Sequence, residues 1–262
     1  MAAASGEGDA NRAPAIRDYD PERGFQTPAE TGRGRVLVWR IFLDRLAWSP
    51  EPLLGLLAED ERDRAARMTS AAGRREYVVV RALLRMLLGE RLGIAPESVR
   101  FSIGPMGKPS LSLGTPGPPL ECGVSHSHAL ALLAVAAGGE VGVDVERERR
   151  GLRAEAVARR FFSVSEARIV RQREGAARRE AFYRLWTRKE AYMKARGRGL
   201  ARAFPRFTVS ADASPRLIAD EEDGGAPAEW GLADIPVPRP YRAACAWKRV
   251  GGEPGAESTG RK

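Results

Sequence analysis

The sequence predicts a mixed α+β fold, because patterns typical of strands and of helices recur in both halves of the chain. The chain has 262 residues, of which 43% are hydrophobic and 29% charged, enough for one large domain or two small ones. A Gly138-Gly139 turn separates the halves. The predicted organisation is a disordered leader (1–34), an N-terminal half (35–139), a C-terminal half (140–249) and a disordered tail (250–262).

In the N-terminal half, one strand and two helices precede a series of short strands. The apolar, β-branched run at residues 35–43 predicts the first strand. Ser49 and Pro50 indicate the start of a helix with charged turns. Apolar residues three to four positions apart predict a long helix over residues 74–93, which Gly93 ends. Strand-like pieces follow at residues 98–103, 121–127 and 129–136.

In the C-terminal half, a strand leads into a helical region. Alternating valines predict the strand over residues 140–146. Helical patterns run from Arg153 to Arg196 and break near Ser163 and Gly175. Further strand-like pieces follow at residues 204–210, 215–220 and 241–247.

Two acidic residues, Asp144 and Glu146, lie within the valine-rich strand at 140–146. Residues two positions apart in a strand point to one face, roughly 6–7 Å from each other. Carboxylates are costly in such a strand unless a positive group meets them. This pattern suits a hard cation such as Mg²⁺, which proteins hold with one or two carboxylates together with substrate phosphates.

A second acidic residue of interest, Glu190, lies on a predicted helix over residues 182–200, which has an apolar stripe. Lys194 follows it by four positions, so both side chains share one helix face. Gly197 and Gly199 end the helix in a loop. Taken alone, the pair fits a surface ion pair on an amphipathic helix.

Three further residues are of types that contact phosphate: Lys108 in a Gly-Lys-Pro turn, and Ser125 and His126 in a strand. His126 and His128 are the only histidines of the chain, and alternation predicts that they share a face. A zinc site is not expected, because no third histidine exists and neither cysteine has ligand spacing. Together with the carboxylates, these residues predict a site for a magnesium-bound pyrophosphate, with the nucleophile left open.

The formal net charge is +9, and 18 basic against 6 acidic residues lie between Arg147 and Arg202. A basic surface attracts nucleic acid, an anionic cofactor or an acidic protein, although a solvated Arg-rich surface fits the count equally. Cys122 and Cys245 are predicted to be reduced, buried thiols. The longest apolar stretch, 129–137, is too short to span a bilayer, and the N-terminus lacks the apolar core of a signal peptide. We therefore expect a cytoplasmic protein.

In this order, the motifs resemble those of the 4′-phosphopantetheinyl transferases, specifically the larger, surfactin-type branch. GVDVE (142–146) is similar to the family motif G-(V/I)-D-(V/I)-E. Residues 186–200 are similar to W-(S/T)-x-K-E-A-x-x-K-x-x-G-x-G-L without a gap. GKPSL (107–111) and VSHS (124–127) match two weaker motifs, and the similarity covers about residues 36–247.

The resemblance implies an α+β fold of two similar α/β halves related by pseudo-twofold symmetry, with the active site between them. It also implies the transfer of phosphopantetheine from coenzyme A to a serine of an apo acyl or peptidyl carrier protein. Adenosine 3′,5′-bisphosphate is the other product, and the metal is Mg²⁺, with Mn²⁺ as an alternative. The expected partners are coenzyme A and carrier protein domains, without nucleic acid or membrane, and the branch is typically monomeric.

Carried over position by position, Asp144, Glu146 and Glu190 fall on the family's metal-ligand positions. Lys194 falls where the family contacts the pyrophosphate. The resemblance therefore assigns catalytic roles to Asp144, Glu190 and Lys194, in which the metal and Lys194 stabilise charge on the phosphate oxygens. Glu190 is the candidate general base, acting directly or through water on the metal.

Coenzyme A contacts follow from the resemblance as well. Ser125 and His126 match positions that grip coenzyme A, the histidine near the 3′-phosphate, and Lys108 matches a lysine at the nucleotide. Arg64 and Arg75 are the candidates for contacts from the first helices. Cys122-Gly123 stand where the family commonly has Phe-Asn, so the nucleotide pocket is expected to differ in detail.

The basic segment 147–202 gains a second interpretation from the resemblance, because carrier proteins in this class of reaction are generally acidic. The arginines around Arg159, Arg160, Arg168 and Arg171 are predicted to lie on the docking side. Two other functions compete with the transferase. A nucleic-acid-binding module would explain the charge, although the aromatic residues of this segment have core-like spacing. A coenzyme A binder such as an acyltransferase would need no cluster of carboxylates.

Overall fold

The computed structural model of the protein describes residues 13–26, 34–103, 109–112, 119–197, 204–221 and 227–249. The described residues form a mixed α+β fold, which confirms the predicted class. The strands are β1 (Ala15–Asp18), β2 (Val36–Phe42), β3 (Phe101–Ile103), β4 (Pro109–Leu111), β5 (Leu120–Ser127), β6 (Leu130–Ala137), β7 (Val141–Arg147), β8 (Phe207–Val209), β9 (Leu217–Asp220), β10 (Trp230–Asp234) and β11 (Tyr241–Lys248). The α-helices are α1 (Glu59–Ala66), α2 (Ala71–Leu92), α3 (Ala154–Phe161), α4 (Val164–Arg171) and α5 (Gly175–Ala195).

Two sheets organise the strands. The first has four strands in the order β1-β2-β6-β5, in which β1 is parallel to β2 and the other pairs are antiparallel. The second has three antiparallel strands in the order β10-β11-β7. Two hairpins, β3-β4 and β8-β9, lie outside them. β5 and β7 are therefore both edge strands, and they lie next to each other.

The sheets and the long helices stack in layers. Apolar residues of α2, including Leu83 and Leu87, share a buried core with one face of the four-stranded sheet. The other face of that sheet shares a core with the three-stranded sheet. Residues of α5 such as Leu185 pack on the outer face of the three-stranded sheet. The order of layers is therefore α2, four-stranded sheet, three-stranded sheet and α5.

The predicted helix end at Gly93 and the predicted break near Ser163 are both present in the structure. Ser70 caps α2 by accepting a hydrogen bond from the amide of Gly73, and Gly93 ends the helix in the left-handed conformation at φ 67°. Ser163 and Glu166 form a capping box at the start of α4, which explains the break predicted there. The helix predicted over 182–200 is longer at its start and shorter at its end, since α5 spans Gly175–Ala195.

The predicted disordered leader is wrong for part of its length. Residues 15–18 form β1, and Trp39 of β2 donates a hydrogen bond from its indole nitrogen to the carbonyl of Phe25 at 2.8 Å. Tyr19 and Phe25 are buried in the core shared with α2. Tertiary pairing with β2 orders a segment whose own composition gives no strand signal. Residues 1–12, 27–33 and the predicted tail from 250 onward lie outside the described residues.

Three further elements differ from the predictions. The region after Ser49 forms a 3-10 helix over Glu51–Leu56 before α1, and the strands β4 and β10 were not predicted. Both cysteines are buried and neither forms a disulfide. In the part of the chain described here, no helix is long and apolar enough to cross a membrane.

Candidate active site

The contact between the edge strands β5 and β7 forms the centre of the site. Ser125 Oγ accepts a hydrogen bond from the amide of Val145 at 3.2 Å, and Ser127 Oγ accepts one from the amide of Arg147 at 3.1 Å. Serine hydroxyls thus take the place of backbone carbonyls between the two sheets. Alternation along β5 puts both hydroxyls on the side that faces β7.

Asp144 lies at this contact and is buried. Ser125 Oγ donates to Asp144 Oδ1 at 3.1 Å, and Lys194 Nζ of α5 donates to the same oxygen at 2.7 Å. Lys194 also donates to Ser125 Oγ at 3.0 Å. Three elements, β5, β7 and α5, therefore meet through three side chains.

The site contains more acidic than basic side chains. Burial and the neighbouring charge of Asp144 raise the pKa of Glu190 to about 8, against the opposing effect of Lys194. Burial and Asp144 also raise the pKa of Glu146, which accepts a hydrogen bond from Ser127 at 3.4 Å. Burial alone would lower the pKa of Lys194, but the carboxylates, Asp144 first, raise it. One ammonium group thus faces three carboxylates that repel each other.

Gly142 allows α5 to lie close to β7. A Cβ atom at Gly142 would lie 2.3 Å from the carbonyl oxygen of Ala191 and 2.3 Å from the amide nitrogen of Ala195. Only glycine fits there, because such a Cβ would enter the backbone hydrogen bond between these two residues. The glycine of the GVDVE motif therefore sets the distance between Asp144 and the helix that carries Glu190 and Lys194.

The carboxylates suit a hard cation in chemical type. Asp144 Oδ2 is buried and has no hydrogen-bond partner among the described residues, and buried carboxylate oxygens without partners are rare. Carboxylate oxygens are the ligands that Mg²⁺ prefers. As the side chains stand, however, no group of three His, Cys, Asp or Glu among the described residues is placed to hold a metal ion. The donor types fit, while the predicted three-carboxylate cluster is not formed in this conformation.

A cleft of about 320 Å³ opens beside Lys194. Three of its lining residues come from β5, one from α1, three from α2 and one from α5: Val124, Ser125, His126, Arg64, Tyr77, Val80, Arg81 and Lys194. Arg64 stacks on Tyr77 with its guanidinium 5.2 Å from the ring centroid. The cleft thus offers an aromatic ring and several cationic groups, a combination that suits a phosphorylated nucleotide.

The structure brings Asp144 together with Ser125 and Lys194, and Arg64 and His126 line the same cleft. Glu146 and Glu190 do not form the predicted metal cluster with Asp144.

Three other histidine and basic residues are placed as follows. Arg75 does not line the cleft, because its guanidinium donates to the carbonyls of Trp48 at 3.2 Å and Leu43 at 3.3 Å and ties α2 to the preceding loop. His128 does not share a face with His126, since it lies in the turn after β5 at φ 52°. Lys108 lies outside the described residues.

Sequence reasoning missed Tyr77 and Arg81. Tyr77 fits the apolar spacing that predicts α2 and so suggests a core residue, and Arg81 has no motif around it. The only sequence signal for them is their spacing of four residues, which puts both side chains on one face of α2. Gly123, which departs from the family's pattern, lies against Gly142, where an added Cβ would be 3.3 Å from the Gly142 Cα.

Comparison with known proteins gives consistent matches. The family model of the 4′-phosphopantetheinyl transferase superfamily matches residues 140–246, which include Asp144, Glu190 and Lys194. The chain is 37% identical over 167 residues to the 4′-phosphopantetheinyl transferase HetI of Nostoc sp., covering 64% of this chain and 70% of HetI.

Two other relatives extend the similarity. A putative 4′-phosphopantetheinyl transferase of Synechocystis sp. is 31% identical over 182 residues, which cover 70% of this chain and 73% of the relative. The 4′-phosphopantetheinyl transferase Sfp of Bacillus subtilis is 22% identical over 192 residues, which cover 72% of this chain and 83% of Sfp.

Proposed function

This chain belongs to the 4′-phosphopantetheinyl transferase superfamily, and we propose that the cleft beside Lys194 is where it binds coenzyme A for that reaction. The protein is a transferase that moves the phosphopantetheine arm of coenzyme A onto carrier proteins. The observation that carries the assignment of the site is that Lys194, which lines the cleft together with Ser125, donates hydrogen bonds to both Ser125 and Asp144.

In this proposal, the residues of the chain have separate tasks. The carrier serine oxygen attacks the β-phosphorus, the bond from that phosphorus to the bridging oxygen breaks, and adenosine 3′,5′-bisphosphate leaves. Lys194 stabilises the negative charge that grows on the phosphate oxygens. Ser125, His126 and Arg64 bind the nucleotide end, and Glu190 is the candidate acceptor of the serine proton.

We also propose that Asp144, Glu146 and Glu190 hold Mg²⁺ when coenzyme A is bound. The support is the unpartnered Asp144 Oδ2 and the excess of carboxylate over ammonium charge. When bound, Mg²⁺ supplies neutralising charge to the pyrophosphate and the leaving bisphosphate.

A mass measurement tests the function and the metal together. We expect an apo carrier protein incubated with this protein, coenzyme A and Mg²⁺ to gain the mass of phosphopantetheine, and EDTA to abolish the gain. Restored transfer on adding excess Mg²⁺ after EDTA is the control for damage to the protein. Transfer that continues in EDTA would contradict the metal proposal, and an acylated product without phosphopantetheine would favour the acyltransferase alternative.

The basic surface on α3 and α4 is the proposed docking site for the carrier. Arg159, Arg160, Arg168 and Arg171 are all exposed. Val164, at the start of α4, is 80% exposed, so an apolar side chain lies in sequence between the two arginine pairs. An acidic domain with a small apolar contact fits such a surface.

Reversing charge on this surface tests the docking site. For Arg160→Glu combined with Arg168→Glu, we expect the KM for the carrier to rise roughly tenfold at low salt, because electrostatic attraction speeds encounter. The KM for coenzyme A should stay the same. Arg17→Glu combined with Arg23→Glu, an equal charge change at two exposed positions of the N-terminal segment, is the matched control. Carrier kinetics that do not respond to either the double variant or salt would contradict the proposal, and retention on a nucleic acid column would favour the alternative partner.

We also propose that the two halves of the chain are related by pseudo-twofold symmetry. The two halves, 35–139 and 140–249, each place one long helix on the outer face of one sheet, which supports a pseudo-twofold relation between them. The monomeric state, the cytoplasmic location and the absence of nucleic acid and membrane partners stay predictions.

A further inference from the structure

A buried ionic cluster links α1, α2 and the cleft. Glu61 of α1 is only 3% exposed. Its Oε1 accepts hydrogen bonds from Arg81 Nε at 2.7 Å and from Arg81 Nη2, and its Oε2 accepts one from Arg85 Nε at 2.7 Å. Oε2 also accepts the amide of Ala58 at 3.0 Å. The Glu61 carboxylate therefore accepts hydrogen bonds from two guanidinium groups and from a backbone amide at the start of α1.

The two arginines of the cluster differ in what surrounds them. Arg85 is 1% exposed, and its Nη1 donates to the carbonyls of Val99 at 2.8 Å and Pro96 at 3.3 Å. The Arg81 side chain is 12% exposed and lines the cleft. Two positive charges against one negative leave the cluster with a net positive charge, and Arg81 is the member that presents it to the cleft.

The Arg81 guanidinium is held on two sides. Glu61 occupies its Nε and Nη2, and the ring of Phe101 on β3 lies under it at 4.7 Å from the centroid. Its Nη1 makes no hydrogen bond to another described residue. A guanidinium fixed in this way loses little conformational entropy when an anion binds to its free edge.

We propose that Glu61 is a positioning residue, which locks Arg81 as a contact for a phosphate of the coenzyme A nucleotide. The proposal rests on the function of the cleft proposed above. Ser125, His126 and Lys194 line the same cleft, so a phosphate there would meet several donors at once. Phosphate is the anion that a planar guanidinium fork binds best among the groups of coenzyme A.

Removing the charge of Glu61 tests the proposal, because a purely electrostatic effect and a positioning effect would change the affinity for an anion in opposite directions. Removing a carboxylate near an anion site should tighten anion binding if only its charge matters. If Glu61 positions Arg81, Glu61→Gln should instead weaken binding of adenosine 3′,5′-bisphosphate, by roughly tenfold in Kd, because one charge-assisted contact to phosphate is lost.

Calorimetry with adenosine 3′,5′-bisphosphate measures this without turnover or metal. We expect Arg81→Ala to weaken binding by a similar factor, and the double variant to be no weaker than Arg81→Ala alone, since both changes remove one contact. Dephospho-coenzyme A identifies the phosphate: a penalty that disappears with it assigns the 3′-phosphate, and one that persists assigns the pyrophosphate. In transfer assays, the KM for coenzyme A should rise while the KM for the carrier stays the same.

Asp234→Asn is the control for loss of an ion pair with a buried arginine. Arg188 is fully buried and binds Asp234 through two hydrogen bonds of 2.7 Å, away from the cleft. This variant should lower Tm without changing the Kd. Unchanged or tighter binding by Glu61→Gln, or additive losses in the double variant, would overturn the positioning role alone. A wild-type protein that does not bind the nucleotide would overturn the assignment of the cleft itself.

Discussion

Asp144→Asn is expected to reduce phosphopantetheinyl transfer by at least about 100-fold, the scale seen when one preorganised electrostatic group is removed from an active site. Asparagine keeps the shape of the side chain and can accept the hydrogen bonds from Ser125 and Lys194. It removes the charge that holds the ammonium of Lys194 and the proposed cation. Steady-state transfer to an apo carrier measures the loss.

Stability should not fall in parallel with activity. Burial and, after it, the charge of Asp144 raise the pKa of both Glu190 and Glu146, so the folded state assembles these groups partly against mutual repulsion. Removing that repulsion offsets the loss of the ion pair with Lys194, and we expect Tm to stay the same or rise. Asp212→Asn, on an exposed turn, controls for the substitution itself. Nearly full activity in Asp144→Asn, or a lost fold, would contradict the assigned role.

Gly142→Ala is expected to have the largest effect on stability. The new Cβ would lie 2.3 Å from two backbone atoms of α5 and 2.9 Å from the Cα of Ala195, and helix backbone cannot move aside as a flexible side chain can. Overpacking of a core costs about 1–3 kcal/mol and occasionally more, and we expect the free energy of unfolding to fall by about 3 kcal/mol. Transfer should fall too, because α5 carries Glu190 and Lys194.

Urea unfolding compared with two other glycines tests this explanation. Gly55→Ala has no neighbouring atom within 4 Å of the new Cβ, so its free energy of unfolding should change by less than about 0.5 kcal/mol. Gly123→Ala, with its nearest contact at 3.3 Å, should fall between them. A Gly142→Ala protein as stable as Gly55→Ala would show that the close approach of α5 to β7 is not required.

The sequence alone predicted the elements whose signals are local. The apolar period of α2, its end at Gly93 and the break near Ser163 all depend on residues within a few positions of each other. The positions of Asp144 and Glu146 on one strand follow from alternation. Glu190 was linked to these two residues only by the match to the family motif, because no local sequence rule relates residues so far apart in the chain.

What sequence reasoning missed depends on contacts between distant segments. β1 exists because β2 pairs with it, and nothing within residues 15–18 predicts a strand. From the sequence, Arg75 and Arg81 are equally plausible as contacts for coenzyme A. In the structure, Arg75 donates hydrogen bonds to loop carbonyls, whereas Arg81 lines the cleft. Lys194, four positions from Glu190 on the helix, makes its hydrogen bonds to Asp144 and Ser125 on the strands instead.

The meeting of β5, β7 and α5 has a consequence for the order of events during synthesis. Lys194 is the last of the described cleft residues to be made, and it lies one position before the end of α5. An unfinished polypeptide that has not yet reached the end of α5 therefore lacks Lys194, even when all the other described residues of the cleft have been made. Under the proposal for this cleft, we expect the capacity to bind coenzyme A to be completed only after about three quarters of the chain has been synthesised.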